Sequence, residues 1–230
     1  MSIYKTHILD KNKIAQNTME VVFAKPGGFA FTAGQYIQIR LPNLLFSDQK
    51  GSSRVFSITS SPYDKKRIAI AFRTTGSGFK KTIENLALNS EVLIEGPHGH
   101  FVLPEDSQKS VVMIAGGIGV APFVSMLRGA FGGKQKRSGR ITLIYGNKNK
   151  KRAAYLGDLK YLSDRAKNFK LIPIYRRIDE EIIRSNLEGD YKEFLWFVAG
   201  PPLMVDNITA SIQSLGVSYE KIFSEGFLGY

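Results

Sequence analysis

An apolar run, Val111-Val112-Met113-Ile114-Ala115, leads directly into Gly116-Gly117-Ile118-Gly119, and Pro122 follows. Glycines at such a turn let backbone approach a ligand closely, and the first N–H groups of a helix, unpaired within it, attract phosphate. Proline suits that first turn because its missing N–H has no helical partner there. Tight packing of a strand on a helix also asks for glycine, so the turn alone leaves both readings open. The usual Gly-x-Gly-x-x-Gly dinucleotide fingerprint does not fit. Pro122 stands in place of its third glycine, and the next strand ends at Tyr145-Gly146-Asn147 without the carboxylate that would hold a ribose.

Residue types exclude other chemistries. The chain has no cysteine, which removes disulfides, thiolate zinc sites, thiol nucleophiles and cysteine-ligated iron-sulfur clusters. His98 and His100 lie two apart with no third histidine beside them, a poor ligand set, and no metal is expected. No serine-nucleophile motif or paired-carboxylate arrangement stands out, so hydrolase chemistry is unsupported.

The elements that must position the glycine turn follow two grammars. Up to about residue 105 the chain reads as short strands at 3–9, 19–24, 35–41, 55–59, 67–74 and 91–95, separated by Pro26-Gly27-Gly28, Gly34 and Gly51-Ser52-Ser53. Residues 67–74 alternate with the two-residue period of a half-buried strand, and the strand spacing predicts an antiparallel barrel. One helix interrupts it at 78–88, with Phe79, Ile83, Leu86 and Ala87 at helical spacing. A polar, proline-headed linker is expected at 104–109. From Ser110, strands at 111–115, 141–145, 170–175 and 194–199 alternate with helices at 121–131, 155–166, 179–187 and 202–215, the pattern of an open parallel sheet.

The chain has 230 residues, 43% hydrophobic and 23% charged, an ordinary globular composition sufficient for one large or two modest cores. No apolar run has signal-peptide or membrane-span length, and a soluble cytoplasmic protein is expected. The net charge is +12, of which +4 falls up to Ser107 and +8 beyond it. Eight basic and no acidic residues lie between Lys134 and Arg152. Such a stretch serves solubility, or meets nucleic acid, a phosphorylated cofactor or an acidic protein. Only Tyr145 among stacking aromatics lies within it, and nucleic acid is not expected.

Three more segments join the glycine turn. These are Arg54-Val55-Phe56-Ser57 with Ile58-Thr59-Ser60-Ser61-Pro62, Gly96-Pro97-His98-Gly99-His100-Phe101, and Gly200-Pro201-Pro202-Leu203-Met204. In this order, on a barrel followed by an α/β unit, they resemble the ferredoxin-NADP reductase superfamily from about Ile3 to Phe227. The resemblance implies an antiparallel flavin-binding β-barrel (1–105) followed by an open parallel-sheet nucleotide-binding domain (106–230). It implies FAD and NADPH or NADH as cofactors, with hydride passing from the nicotinamide to the flavin and electrons on to a separate acceptor.

The resemblance also assigns roles. Arg54 would pair with the flavin phosphate, a task suited to a forked, permanent cation. Phe56 would stack on the isoalloxazine, although as a strand residue alone it reads as plain core, and Ser57 would hydrogen-bond near N5. Ile58, Thr59 and Arg73 fall in the same flavin group. Gly76-Ser77-Gly78-Phe79-Lys80 would hold a pyrophosphate, though a simple hairpin turn explains the glycines as well. The pyrophosphate argues for FAD over FMN. Gly116, Gly117, Gly119 and Pro122 would form the pyridine-nucleotide loop, and Gly200, Pro201 and Met204, from the loop before the last helix, would also bind the cofactor. Arg176 and Arg177 would meet a 2′-phosphate and favour NADPH. Glu225, with Phe227 or Tyr230, would close the flavin site.

Where many members place a cysteine before the last glycine loop, this chain has Ala199, which leaves room for a flavin-binding module without useful transfer. A reductase of free flavin is the other alternative. The partner that suits a basic chain without its own cluster is an acidic carrier such as ferredoxin or flavodoxin, with Lys148, Lys150, Lys151 and Arg152 as contributors.

Overall fold

The computed structural model describes residues 2–74, 76–133 and 137–227. The first half contains β1 (Ile3–Ala15), β2 (Thr18–Ala24), β3 (Tyr36–Arg40), β4 (Ser53–Ser57), β5 (Arg67–Arg73), helix α1 (Gly78–Asn85) and β6 (Glu91–His98). Its six strands pair antiparallel in the order β4-β3-β6-β1-β2-β5. The sheet curls so that its edges approach: Ile58 forms an isolated bridge with Ile70, and the Thr59 N–H donates to the Ala69 carbonyl at 2.8 Å. It is barrel-like without a continuous closing ladder. Ile8, Val21, Phe23, Ile37, Ile39 and Ile94, among others, fill its interior.

Three elements, β6, β1 and α1, end elsewhere than their pattern predicts, and β6 runs on to His98. β1 extends through Asp10-Lys11-Asn12-Lys13 to Ala15, pairing Lys11 with Val21 and Lys13 with Met19. A polar run can remain a strand because its partner supplies the ladder while its own side chains face water. Asn17, at φ 52°, makes the tight connection to β2, a conformation asparagine tolerates. Helix α1 stops at Asn85, before the Leu86-Ala87-Leu88 that continues its apolar spacing.

The second half contains β7 (Val111–Gly116), a 3-10 turn (Gly117–Val120), α2 (Ala121–Gly132), β8 (Ile141–Gly146), α3 (Leu156–Arg165), β9 (Phe169–Ile174), α4 (Glu180–Asn186), β10 (Leu195–Gly200), α5 (Pro202–Ser214) and β11 (Ile222–Gly226). All five strands pair parallel in the order β11-β10-β7-β8-β9. Every residue of β7 is buried, as the central strand of a sheet covered on both faces requires. The chain leaves β7 toward β8 on one side and later fills β10 on the other, so the carboxyl ends of β7 and β10 flank a topological switch, where open α/β sheets bind ligands.

The two halves are joined by specific contacts. Phe101, just after the barrel, packs its ring 5.7 Å from Phe123 and 5.4 Å from Phe197. The Tyr155 hydroxyl donates to Glu20 at 2.8 Å, Ser125 to the Ser60 carbonyl at 2.8 Å, and Arg128 to the Thr59 carbonyl at 2.9 Å. Arg137, from the basic stretch, is buried and donates to the carbonyls of Lys109 and Pro104, fastening the connecting segment.

Candidate functional site

The barrel brings Arg54 on β4 against the N-terminus of α1. Gly76 adopts φ 87° and delivers the chain to Ser77, whose hydroxyl caps the helix by accepting the Lys80 N–H at 3.3 Å. Lys80 is buried, and desolvation, with the Arg54 charge beside it, lowers its ammonium to about 8. Two buried cations and a helix N-terminus form a strongly electropositive cradle. An anion already occupies it. Asp48 accepts from Arg54 Nη2 at 2.5 Å through one carboxylate oxygen and from the Phe79 N–H at 2.8 Å through the other. The Phe79 N–H, followed by the Lys50 N–H and Arg54, holds the Asp48 carboxyl below its ordinary range despite burial. Arg54 also donates to the carbonyls of Lys50 at 2.9 Å and Ser53 at 2.6 Å, yet its buried Nε has no hydrogen-bond partner among the described residues. The donor set fits the phosphate of a flavin nucleotide, with Asp48 as its internal stand-in.

The rest of the flavin segment lies inward. Phe56 packs its ring 5.7 Å from Phe72 and 5.9 Å from Phe79 within the barrel core. The core alternative for Phe56 is therefore its position here, rather than an open stacking face. Ile58 and Thr59 are fully buried, and Phe79 is as well. Ser57 is buried with a hydroxyl that has no partner among the described residues, an orphan group suited to a ligand's polar edge.

The second site is a cleft of about 670 Å³ at the switch between β7 and β10. Gly116, Gly117 and Gly119 line one wall and Gly200, Pro201 and Met204 the other. A Cβ on Gly119 would stand 2.4 Å from the Ala199 carbonyl oxygen, and one on Gly116 would stand 2.3 Å from Met204 Sδ. These glycines thus serve the close approach of the two loops, while Gly117, at φ 56°, turns the chain into the 3-10 segment. Pro122 sits in the first turn of α2, as its missing N–H allows.

Arg73, Lys148, Arg152, Arg176 and Arg177 also line the cleft, with no carboxylate lining it among the described residues. Arg73 reaches from the end of β5 to donate to the Arg152 carbonyl at 2.9 Å, so the barrel contributes to this wall. Asn147 is buried in the wall, its amide without a hydrogen-bond partner among the described residues. The sequence marks Asn147 only for the carboxylate it lacks. It also suggests Lys148 and Arg152 for a carrier surface, whereas both border the cleft. Asp48 escapes sequence reasoning altogether, since Asp48-Gln49-Lys50-Gly51 reads only as a turn.

Glu225 on β11 pairs in register with Ala199 on β10, and Ala199 is fully buried. Burial raises the Glu225 carboxyl to about 7, and its Oε2 has no partner among the described residues. The Phe227 N–H donates to the Gly200 carbonyl at 2.8 Å, which places Phe227 at the cleft wall. Tyr230, the competing aromatic, lies outside the described residues, as do Lys134 and Lys136 of the basic stretch.

Residues 5–103 match the oxidoreductase FAD-binding domain family and residues 113–210 the oxidoreductase NAD-binding domain family. Among curated proteins, the chain is 24% identical to flavohemoprotein A of Dictyostelium discoideum over 86% of its own length and 52% of that protein's. It is also 24% identical to the reductase subunit of an aromatic O-demethylase from an Amycolatopsis strain, over 96% and 68%. The chain thus spans about half the length of the first relative. A cytochrome P450 reductase from Amycolatopsis superposes with a TM-score of 0.82 at 22% identity, covering 98% of this chain and 70% of the other. The ferredoxin-NADP+ reductase of Plasmodium falciparum superposes with a TM-score of 0.81 at 21% identity, covering 98% and 96%. An FAD-binding domain followed by an NAD-binding domain, on an antiparallel barrel-like sheet and a five-stranded parallel sheet, makes this chain a member of the ferredoxin-NADP reductase superfamily.

Proposed function

We propose that this chain takes hydride from NAD(P)H onto FAD and passes electrons to a separate acceptor, an acidic one-electron carrier of the ferredoxin or flavodoxin kind. The flavin, when bound, accepts a hydride and releases electrons singly. The chain's own residues bind and align. Residues 1–105 hold the flavin and 106–230 the pyridine nucleotide. The observation that carries the reading is the cleft at the sheet switch, lined among the described residues by five cations and no carboxylate, with Phe227 in its wall. Such a cleft suits an anionic dinucleotide, and its volume is that of a ligand site. Ser57 offers its unpaired hydroxyl, and Glu225 offers a carboxyl able to hold or release a proton near neutrality.

Arg176 and Arg177 follow β9, exposed at the cleft, and favour the 2′-phosphate of NADPH. Anaerobic mixing with NADPH should bleach the flavin absorbance of the loaded protein, and wild type should show the higher kcat/KM for NADPH over NADH. Replacing both arginines by alanine should lower kcat/KM for NADPH about tenfold or more, since each charge-assisted hydrogen bond is worth roughly 1.5 to 3 kcal/mol, and leave NADH nearly unchanged. A wild-type preference for NADH rejects the NADPH assignment; absence of bleaching with both nucleotides rejects the transfer.

A second reading, a reductase whose flavin comes and goes as a substrate, is favoured by one observation: Asp48 stands where the flavin phosphate would be held. Flavin that survives gel filtration argues against it.

A further inference from the structure

We propose that Asp48 is a built-in competitor for the flavin phosphate, so that a phosphate-bearing flavin binds only by exchanging its phosphate for this carboxylate and displacing the loop 41–52. The inference rests on the flavin reading of the barrel and adds to it the residue that sets how tightly, and which, flavin is held.

The loop packs tightly on the helix. The N–H groups of Leu45 and Phe46 donate to Thr82 Oγ1 on α1 at 3.1 and 3.2 Å. A Cβ on Gly78 would stand 2.1 Å from the Ser47 carbonyl oxygen and 2.6 Å from that of Phe46. Loop backbone therefore lies directly on the first residue of the helix, on the ground a phosphate at this N-terminus must take. Asp48 follows, its two oxygens divided between Arg54 and the Phe79 N–H. Its side chain and that of Arg54 are each 6% exposed, so water touches little of the pair, although only a single surface loop covers it.

The carboxylate is an incomplete occupant. It leaves the buried Arg54 Nε unpaired, and a buried donor without an acceptor is costly. A phosphate carries more acceptor oxygens and more charge, and can serve Arg54 and the helix N-terminus together. Exchange is thereby opposed by the loss of Asp48's contacts and favoured by the groups Asp48 leaves unsatisfied. A flavin without phosphate does not compete for this ground. Removing the carboxylate should therefore strengthen FAD and FMN selectively.

The test is fluorescence titration of riboflavin, FMN and FAD into flavin-free protein, comparing wild type with Asp48→Asn and Asp48→Ala, with circular dichroism to establish folding. The asparagine keeps the side chain's shape and an acceptor for Phe79. FAD and FMN should tighten at least about tenfold in Asp48→Ala, and in the same direction in Asp48→Asn, since a charge-assisted contact is worth roughly that factor, while riboflavin stays within about twofold. Unchanged or weaker FAD binding, or riboflavin tightening in parallel, overturns the proposal and leaves Asp48 as a structural cap. A second arm separates this from failure of the flavin reading: inorganic pyrophosphate alone should raise the Tm of Asp48→Ala more than that of wild type. If no flavin binds either protein while this difference holds, the internal anion stands and the flavin assignment falls. Equal pyrophosphate shifts in the two proteins overturn the internal anion as well.

Discussion

Glu225 carries a pH dependence that its surroundings dictate. A glutamate in an unfolded chain ionises near 4.3, and burial raises this one to about 7. Between those values the native state holds a proton that the unfolded state has released, so stability falls as pH rises through that window and levels off above it. The full rise is worth about 3 to 4 kcal/mol by pH 8, which the carboxyl's partial exposure reduces to about 2 to 3 kcal/mol. Glu225→Gln keeps a neutral group of similar shape, so its Tm should exceed that of wild type at pH 8 and match it near pH 4. Parallel Tm profiles for the two proteins would remove Glu225 as the titrating group. Glu225 and Arg54 are marked in the sequence by type and order along the chain, as is the pair Phe227 and Tyr230, between which the sequence does not choose. Asp48 is not, because its role exists only once the loop 41–52 has folded across α1. The same contact complicates Arg54→Ala. Truncating one member of a buried pair costs about 3 to 5 kcal/mol, so flavin lost there would mix instability with a lost phosphate partner. Replacing Asp48 breaks the same pair but keeps Arg54 for the phosphate, so a gain in flavin affinity there cannot come from a lost phosphate partner.

Elements are legible where periodicity and burial coincide. Strands β7 to β10 match expectation to within a residue or two, because buried parallel strands are nearly unbroken apolar runs, whereas β11, a largely exposed edge strand carrying Ser224 and Glu225, is missing from the strand pattern. The ends of β1 and β6 and the stop of α1 are not, since cross-strand partners rather than local pattern decide them. The glycine turn is legible as a turn, but tertiary approach selects between its two readings. A methyl group on Gly119 would meet the backbone of Ala199 at 2.4 Å, which cannot yield as a flexible side chain could. Gly119→Ala should therefore force the loops apart, destabilise by about 1 to 3 kcal/mol and weaken NAD(P)H binding without affecting flavin affinity. Gly157, in the first turn of α3, is the contrasting case, since a methyl group added there would meet nothing within 4 Å. Gly157→Ala should stabilise by about 0.5 to 1 kcal/mol through helix propensity. Thermal denaturation of both variants tests the distinction, and equal shifts would show that loop approach does not govern position 119.

At the scale of the whole molecule, the charge of +12 is divided among different tasks. Arg137 is buried in fastening the connecting segment, and Lys148 and Arg152 border the cleft at the sheet switch. Lys150 and Lys151 are exposed and do not line it, so they are the members of this loop left for a partner. Their position near the barrel follows from the Gln16 N–H, which donates to the Lys151 carbonyl at 2.8 Å and ties the loop to the β1–β2 hairpin. Opposite charges accelerate encounter with an acidic carrier more than they tighten the final complex, and salt screens that advantage over about 10 Å at 0.1 M. The two half-reactions should then separate by residue. Lys150→Gln with Lys151→Gln should slow carrier reduction at low ionic strength by about threefold or more and flatten its salt dependence, while reduction by NADPH is unchanged. Lys148→Gln with Arg152→Gln should do the reverse, weakening the NADPH step through the cleft. Stopped-flow measurement of each half-reaction across ionic strength distinguishes them. If carrier reduction is indifferent both to salt and to Lys150 and Lys151, their charge serves solubility, and a neutral small acceptor becomes the better partner.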